Sequence, residues 1–347
     1  MTDTSLLLGE RLTRCPPNLL LYDSLQSSAR EQLRQKIDSG TYVFELVPCC
    51  ICKGTDFQPL ACEDRCGIKT PVVICRGCGL VQTNPRMTDE SYANFYREEY
   101  RDLLEGERYS RETGYKSEYQ RGAEQFEWLR QRGLLPDLDS TRLVLEIGCG
   151  SGGILGHFRD KGFRVKGVDL GPAQIEYGRD KRGLDLSLGT IRDLGPLRAD
   201  IVILSHSLEH LTNPAPDLEH ICSLLADDGI LFVEVPGIKE LWPGYLFDLQ
   251  LYIQCAHVSH FSLTTLTNLL NKSGFGLVVG DEAIRAAFRK RVGTSEGGDI
   301  VSDYDAVLRC LRTTEKMRKV VSIGLAPLVR AVKWVRLQKI RCREAQR

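Results

Sequence analysis

The sequence has 347 residues, 42% of them hydrophobic and 27% charged, with 46 basic residues balancing 46 acidic ones. That length predicts two domains, or one domain with sizeable appendages, and the even charge balance excludes a global pull toward nucleic acid or an anionic membrane. No apolar run is long enough to span a bilayer and Leu6–Leu8 is too short for a signal peptide, so a cytoplasmic, reducing compartment is expected.

Residues 1–40 read as an N-terminal helical extension: Pro16-Pro17, then a charged helix from about Ser24 to Ile37, stopped by Gly40. Residues 41–87 hold seven of the thirteen cysteines. In a reducing compartment such clustering points to metal. Cys49/Cys52 and Cys75/Cys78 form two C-x-x-C pairs with 22 residues between them, the pattern of a zinc-ribbon-like module, with Gly54, Gly77 and Gly79 at the knuckles. Four protein thiolates leave no open position for water, so a Zn2+ here would be structural. Cys50 stands as an alternative to Cys49, and a reduced, metal-free thiol cluster as the alternative to zinc.

Residues 88–139 read as a helical linker or lid. Thr88 is placed as an N-cap ahead of Asp89 and Glu90. Tyr92, Tyr96 and Tyr100 are spaced by four and share one helix face, which suits either a lid or packing on the cysteine module. From 140 to 291, short apolar runs alternate with helical patterns, at Leu143–Ile147, Val165–Leu170, Ile201–Leu204 and Ile230–Val235. This rhythm predicts an α/β fold, a doubly wound Rossmann-like domain with a parallel sheet. Residues 292–347 form a basic helical tail. Arg330, Lys333, Arg336 and Lys339 recur every third residue and so drift around a helix. A solvated or partner-facing helix is therefore expected ahead of a weak membrane-surface contact.

The strongest chemical signal is Leu145-Glu146-Ile147-Gly148-Cys149-Gly150-Ser151-Gly152, a strand-to-helix turn stripped of side chains. Asp169 follows at the end of the next strand, where a carboxylate can accept from both ribose hydroxyls. The loop is not G-x-G-x-x-G, and Glu146 disfavours an anion there. An acidic neighbour suits a ligand carrying an ammonium and a sulfonium.

Across about 140–290 the chain resembles the class I S-adenosylmethionine-dependent methyltransferases. The first motif of that family falls on Glu146–Gly152 and its ribose-binding acid on Asp169. Its third strand leads to Gly189-Thr190-Ile191 by the adenine. Ala199–Leu204 matches its fourth strand, running into Ser205-His206-Ser207-Leu208-Glu209-His210. Leu225–Gly229 reads as a helix end and turn into strand five, and His260-Phe261-Ser262-Leu263 through Gly274-Phe275 as the late helix and sixth strand. The resemblance implies S-adenosylmethionine as cofactor, contacted by Glu146, Gly148, Cys149, Gly150, Gly152, Asp169, Leu170, Thr190, Ile191 and Ser205. Residues Cys75–Gln82 with Asn84-Pro85-Arg86 resemble a narrower group, the methyltransferases of sugar and surface-polysaccharide pathways, including nucleotide-deoxysugar C-methyltransferases. These carry a zinc module, a tyrosine-rich link and a class I domain in this order, which implies a sugar or glycoconjugate acceptor. Those C-methyltransferases also have a large third α/β domain. About 57 residues follow 290, so that domain is expected to be missing, and O- against C-methylation stays open.

Methyl transfer needs a base when the acceptor is a hydroxyl or an acidic carbon, and histidine suits that task. His206 and His210 follow strand four, where doubly wound folds bind ligands, and His257 and His260 precede the late helix. His206 and His260 are the first candidates; Glu209 either orients a histidine or faces solvent. His157 and His220 sit in helical patterns and read as structural. Two rivals remain. One is a ribosomal RNA methyltransferase with a zinc module, although Leu204-Ser205-His206-Ser207 lacks the Asn/Asp-Pro-Pro-aromatic turn of amino-group methylation and the charge balance disfavours nucleic acid. The other is a non-catalytic adaptor that binds zinc and cofactor.

Overall fold

The computed structural model describes residues 8–16, 19–107, 109–137, 141–242, 244–291 and 299–324. The tail charges at 330, 333, 336 and 339 lie outside them. After a short 3-10 turn at Glu10–Thr13, α1 (Ser24–Asp38) starts on Asp23, whose side chain accepts from Gln26 N in a capping box. The cysteine-rich stretch contributes β1 (Phe44–Glu45), β2 (Phe57–Glu63), β3 (Lys69–Cys75), β4 (Val81–Thr83) and β5 (Arg86–Met87). Three helices follow: α2 (Asp89–Glu98), α3 (Tyr100–Glu105) and α4 (Arg111–Gln131). Thr88 caps α2 by accepting from Ser91 N.

The remaining elements are β6 (Leu143–Ile147), α5 (Gly153–Asp160), β7 (Arg164–Asp169), α6 (Pro172–Arg182), β8 (Leu186–Leu188), β9 (Ala199–Ser205), α7 (Pro214–Leu224), β10 (Leu225–Glu234), α8 (Leu249–Tyr252), β11 (Ser259–His260), α9 (Leu263–Lys272), β12 (Phe275–Gly280), β13 (Arg285–Lys290) and α10 (Tyr304–Gly324). Seven strands form one sheet in the order β8-β7-β6-β9-β10-β13-β12. β8 through β10 are parallel, while β13 runs antiparallel to both neighbours. The central strands are buried on both faces, which is why they read as continuous apolar runs. Chain order reverses between β6 and β9, and ligands of doubly wound sheets bind outside such a switch point.

One expectation is corrected here. Residues 225–229 are not a plain helix end and turn. α7 stops at Leu224, Leu225 already pairs with Ala199, and the ladder resumes only at Ile230 opposite Ile201. Asp227, Asp228 and Gly229 therefore form an irregularity inside the strand, which polar residues and a glycine disguised as a turn. The cysteine module is not self-contained. Its sheet, β11-β4-β3-β2, takes β11 from the middle of the larger domain, with Ser259 opposite Gln82 and His260 opposite Val81. Cys49, Cys75, Cys78 and Leu80 lie in the same apolar cluster as Leu231 and Phe261, so the core of the module is shared. Burying that joint surface stabilises the module at roughly 25 cal/mol per Å2, beyond what a metal would add.

Candidate active site

The bend after β6 requires glycine. Gly148, Gly150 and Gly152 all have positive φ (75°, 53° and 78°), and a Cβ on Gly148 would come within 2.9 Å of Ser207 Cβ. Gly148 N and Cys149 N both donate to Val168 O, at 2.8 and 3.1 Å, which draws the end of β7 against the bend. The Asp169 carboxylate is then locked across it: Oδ2 accepts from Gly150 N at 2.9 Å and Oδ1 from Gly171 N at 2.7 Å. Each oxygen keeps a lone pair for a ligand. Leu170 beside it is exposed and Ile191 is buried, while Thr190 is exposed and caps the short turn Ile191–Asp193. The buried Cys149 thiol packs against Gly167 and donates to Gly150 O at 3.8 Å. Ser205 Oγ accepts from Gln125 Nε2 at 2.9 Å. Glu146 is buried, its Oε2 has no hydrogen-bond partner, and burial pushes its carboxyl well above the usual carboxylate range. An orphaned buried acceptor beside a glycine cradle fits a cationic, adenosyl-bearing ligand.

One strand over, the four candidate histidines come together. His206, with φ 54°, places Nδ1 3.4 Å from Glu209 Oε1. Glu209 is buried, so it turns toward the histidine and not to solvent. His210 Nδ1 meets Tyr96 Oη at 2.9 Å and Ala256 O at 3.0 Å. The rings of His210 and His257 lie 4.9 Å apart, and those of His257 and His260 6.0 Å. His260 is fully buried against Tyr252, and desolvation pushes its pKa down to about 3. At neutral pH it is an uncharged ring and a poor proton acceptor. His157 and His220 sit on α5 and α7, away from this group.

In the cysteine module, Cys49, Cys52, Cys75 and Cys78 offer sulfurs within 4.8 Å of one another. Cys49 Sγ lies 3.4 Å from Cys78 Sγ, and Cys52 Sγ 3.4 Å from Cys75 Sγ. Gly54 N donates to Cys52 Sγ at 3.4 Å. The set contains Cys49 and not Cys50, whose thiol contacts Ser259. Hydrogen bonds from Cys49 and Cys78 hold the Cys75 thiol below its usual pKa. A ready thiolate among packed thiols fits a tetrahedral Zn2+ site.

Residues 118–279 match the family model described as a methyltransferase domain. These residues form a methyltransferase domain. The C-methyltransferase NovU of Streptomyces niveus is 33% identical over 144 residues, which are 39% of this chain and 33% of NovU. A Mycolicibacterium smegmatis protein named a probable S-adenosylmethionine-dependent methyltransferase is 27% identical over 164 residues, 46% of this chain and 62% of that protein. The chain thus spans a third to three-fifths of the length of these relatives. Among solved structures, the mitomycin 7-O-methyltransferase MmcR shares 18% identity over 78% of this chain and 69% of its own, with a TM-score of 0.43.

The methyltransferase domain uses residues that the sequence reading passed over. Glu118 on α4 reaches the glycine bend, where its Oε2 accepts from Ser151 Oγ at 2.7 Å and Gly153 N at 3.0 Å. Tyr92 Oη donates to Cys255 O and Tyr96 Oη to Ala256 O, so the tyrosine face of α2 packs on the histidine loop. Buried Asp64 bridges module and loop, accepting from Cys66 N and Ile68 N through Oδ1 and from Cys255 N through Oδ2. Thr83 Oγ1 donates to His257 O at 2.9 Å. Only the even spacing of Tyr92, Tyr96 and Tyr100 signalled any of this.

Proposed function

We propose that this chain transfers the methyl group of S-adenosylmethionine to a sugar or glycoconjugate acceptor. The observation that carries the reading is the juxtaposition of two sites: a glycine bend faced by Asp169, and a histidine cluster that begins where Ser207 touches Gly148. When bound, the cofactor supplies a methyl group activated by its sulfonium. Asp169 and the bend hold the adenosyl end, with Leu170, Thr190 and Ile191 by the adenine and Ser205 at the mouth. Transfer to a hydroxyl or to a carbon beside a carbonyl releases a proton in either case. His206, oriented by Glu209 through Nδ1, takes that proton at Nε2. His210, His257 and His260, held by Tyr96, Thr83 and the module sheet, line the acceptor side and exclude water.

The sugar assignment is supported by the order of cysteine module, tyrosine-rich link and methyltransferase domain, while the likeness to the C-methyltransferase NovU supports methyl transfer. The thiol set at 49, 52, 75 and 78 is proposed to hold one structural Zn2+. Among the described residues no helix is long and apolar enough to cross a membrane, and we place the reaction in the cytoplasm. The test is transfer of labelled methyl from S-adenosylmethionine to a panel of nucleotide-linked sugars, glycosides and ribosomal RNA. Label in a sugar supports the proposal. Label in RNA alone, or in nothing while the cofactor binds, contradicts it.

A further inference from the structure

Three carboxylates converge on the glycine bend from three elements. Asp169 ends β7 and accepts from Gly150 N. Glu146 lies in β6, 2% exposed, with Oε2 unpartnered. Glu118 comes from α4, and its two oxygens do different things. Oε2 accepts from Ser151 Oγ and Gly153 N, while Oε1 lies on the Gly150 side, where it would stand 2.6 Å from a Cβ on that residue. The charged groups acting on this set are few. Arg101 of α3, paired with Glu105 at 2.6 Å, acts on Glu118, and Arg121 of α4 acts on Glu146. The Asp169 charge raises the Glu118 carboxyl, and the Glu118 and Asp169 charges raise Glu146. Burying like charges at this density is costly unless a cation joins them.

We propose that Glu118 is a cofactor-binding residue whose Oε1, with Glu146, accepts hydrogen bonds from the ammonium of the cofactor's amino-acid arm. The proposal rests on the cofactor reading above and extends it to a residue outside the glycine motif. With its adenosyl end at Asp169, the ligand would turn its positively charged end toward Glu118 and Glu146. Burial, opposed by Ser151 and Gly153, pushes the Glu118 carboxyl up to about 7, and burial likewise pushes Glu146 well above the usual carboxylate range. Ammonium binding ionises both, so ligand binding near neutral pH releases protons.

The test uses two uncharged-sulfur probes, S-adenosylhomocysteine and 5′-methylthioadenosine, which lacks the amino-acid arm. In full-length protein, Glu118→Gln should weaken S-adenosylhomocysteine by about 10- to 100-fold, the worth of one hydrogen bond to a charged group, and leave 5′-methylthioadenosine unchanged. Wild-type calorimetry at pH 6.5 in two buffers of different ionisation enthalpy should show net proton release with S-adenosylhomocysteine only. Equal weakening of both probes would make Glu118 a mere cap for α5 and overturn the proposal. So would an unchanged affinity, or the absence of proton release from wild type, a readout that stands even if the variant misfolds. Wild-type protein that binds neither probe would instead sink the cofactor reading.

Discussion

His206 occupies the left-handed backbone region, at φ 54°, which residues other than glycine adopt at a cost of order 1–3 kcal/mol. The strain turns its ring toward Glu209 at the mouth of the bend. His206→Asn keeps a side chain that tolerates this backbone but cannot accept a proton. It should lower kcat about 10²- to 10⁴-fold without moving the cofactor Kd, measured by steady-state kinetics and titration. An unchanged kcat would move the base elsewhere in the cluster. Glu118 supplies a pH prediction for the ligand-free protein. Its carboxyl sits near 4.5 in the unfolded chain and about 7 in the fold. Between those values the folded protein holds a proton that the unfolded chain has released, so stability is present below about 4.5 and falls as pH rises through about 7. Glu118→Gln should flatten that slope by at most about 3 kcal/mol, read from Tm against pH. A steeper slope in the variant would contradict the buried, protonated acid. Neither effect was legible beforehand. His206 was chosen for its place after a strand, and Glu118 looked like any charged residue of a polar helix.

At the scale of elements, β11 carries the argument. Two residues, Ser259 and His260, complete the module sheet, and Asp64, Thr83 and Gln82 fix the loop that precedes them. The thiol site therefore shares a sheet with the end of the histidine loop. Cys75→Ser, or chelation of full-length protein, should lower hydrogen-exchange protection across 255–261 by at least about tenfold while leaving β6 protected. Loss of protection in both would mean that the module supports the whole domain. The sequence periodicity could place β6, β7, β9 and β10, which read as short apolar runs, but not β13. The same periodicity could not show β11, which pairs across some 178 positions of chain and is too short to carry a pattern. The irregularity at 225–229 was hidden for a related reason, since a bulge and a turn use the same residues.

For the whole molecule, the sheet order sets what meets what. Reversal between β6 and β9 brings the bend, the end of β7 and the histidine turn to one rim, and β13 inserts antiparallel between β10 and the edge strand β12. The bend and Asp169 were readable because glycines at a strand end have few other physical uses. The surroundings of the histidine cluster were not, because they combine α2 and the cysteine module with β11, which lies more than a hundred residues further along the chain and meets them only through packing. The central claim is that the bend faced by Asp169 binds the adenosyl group. Calorimetric titration of wild-type and Asp169→Ala protein with S-adenosylmethionine tests it most directly. The account predicts one site per chain in wild type and an affinity at least about tenfold weaker in the variant; equal affinities, with the fold intact, would contradict it.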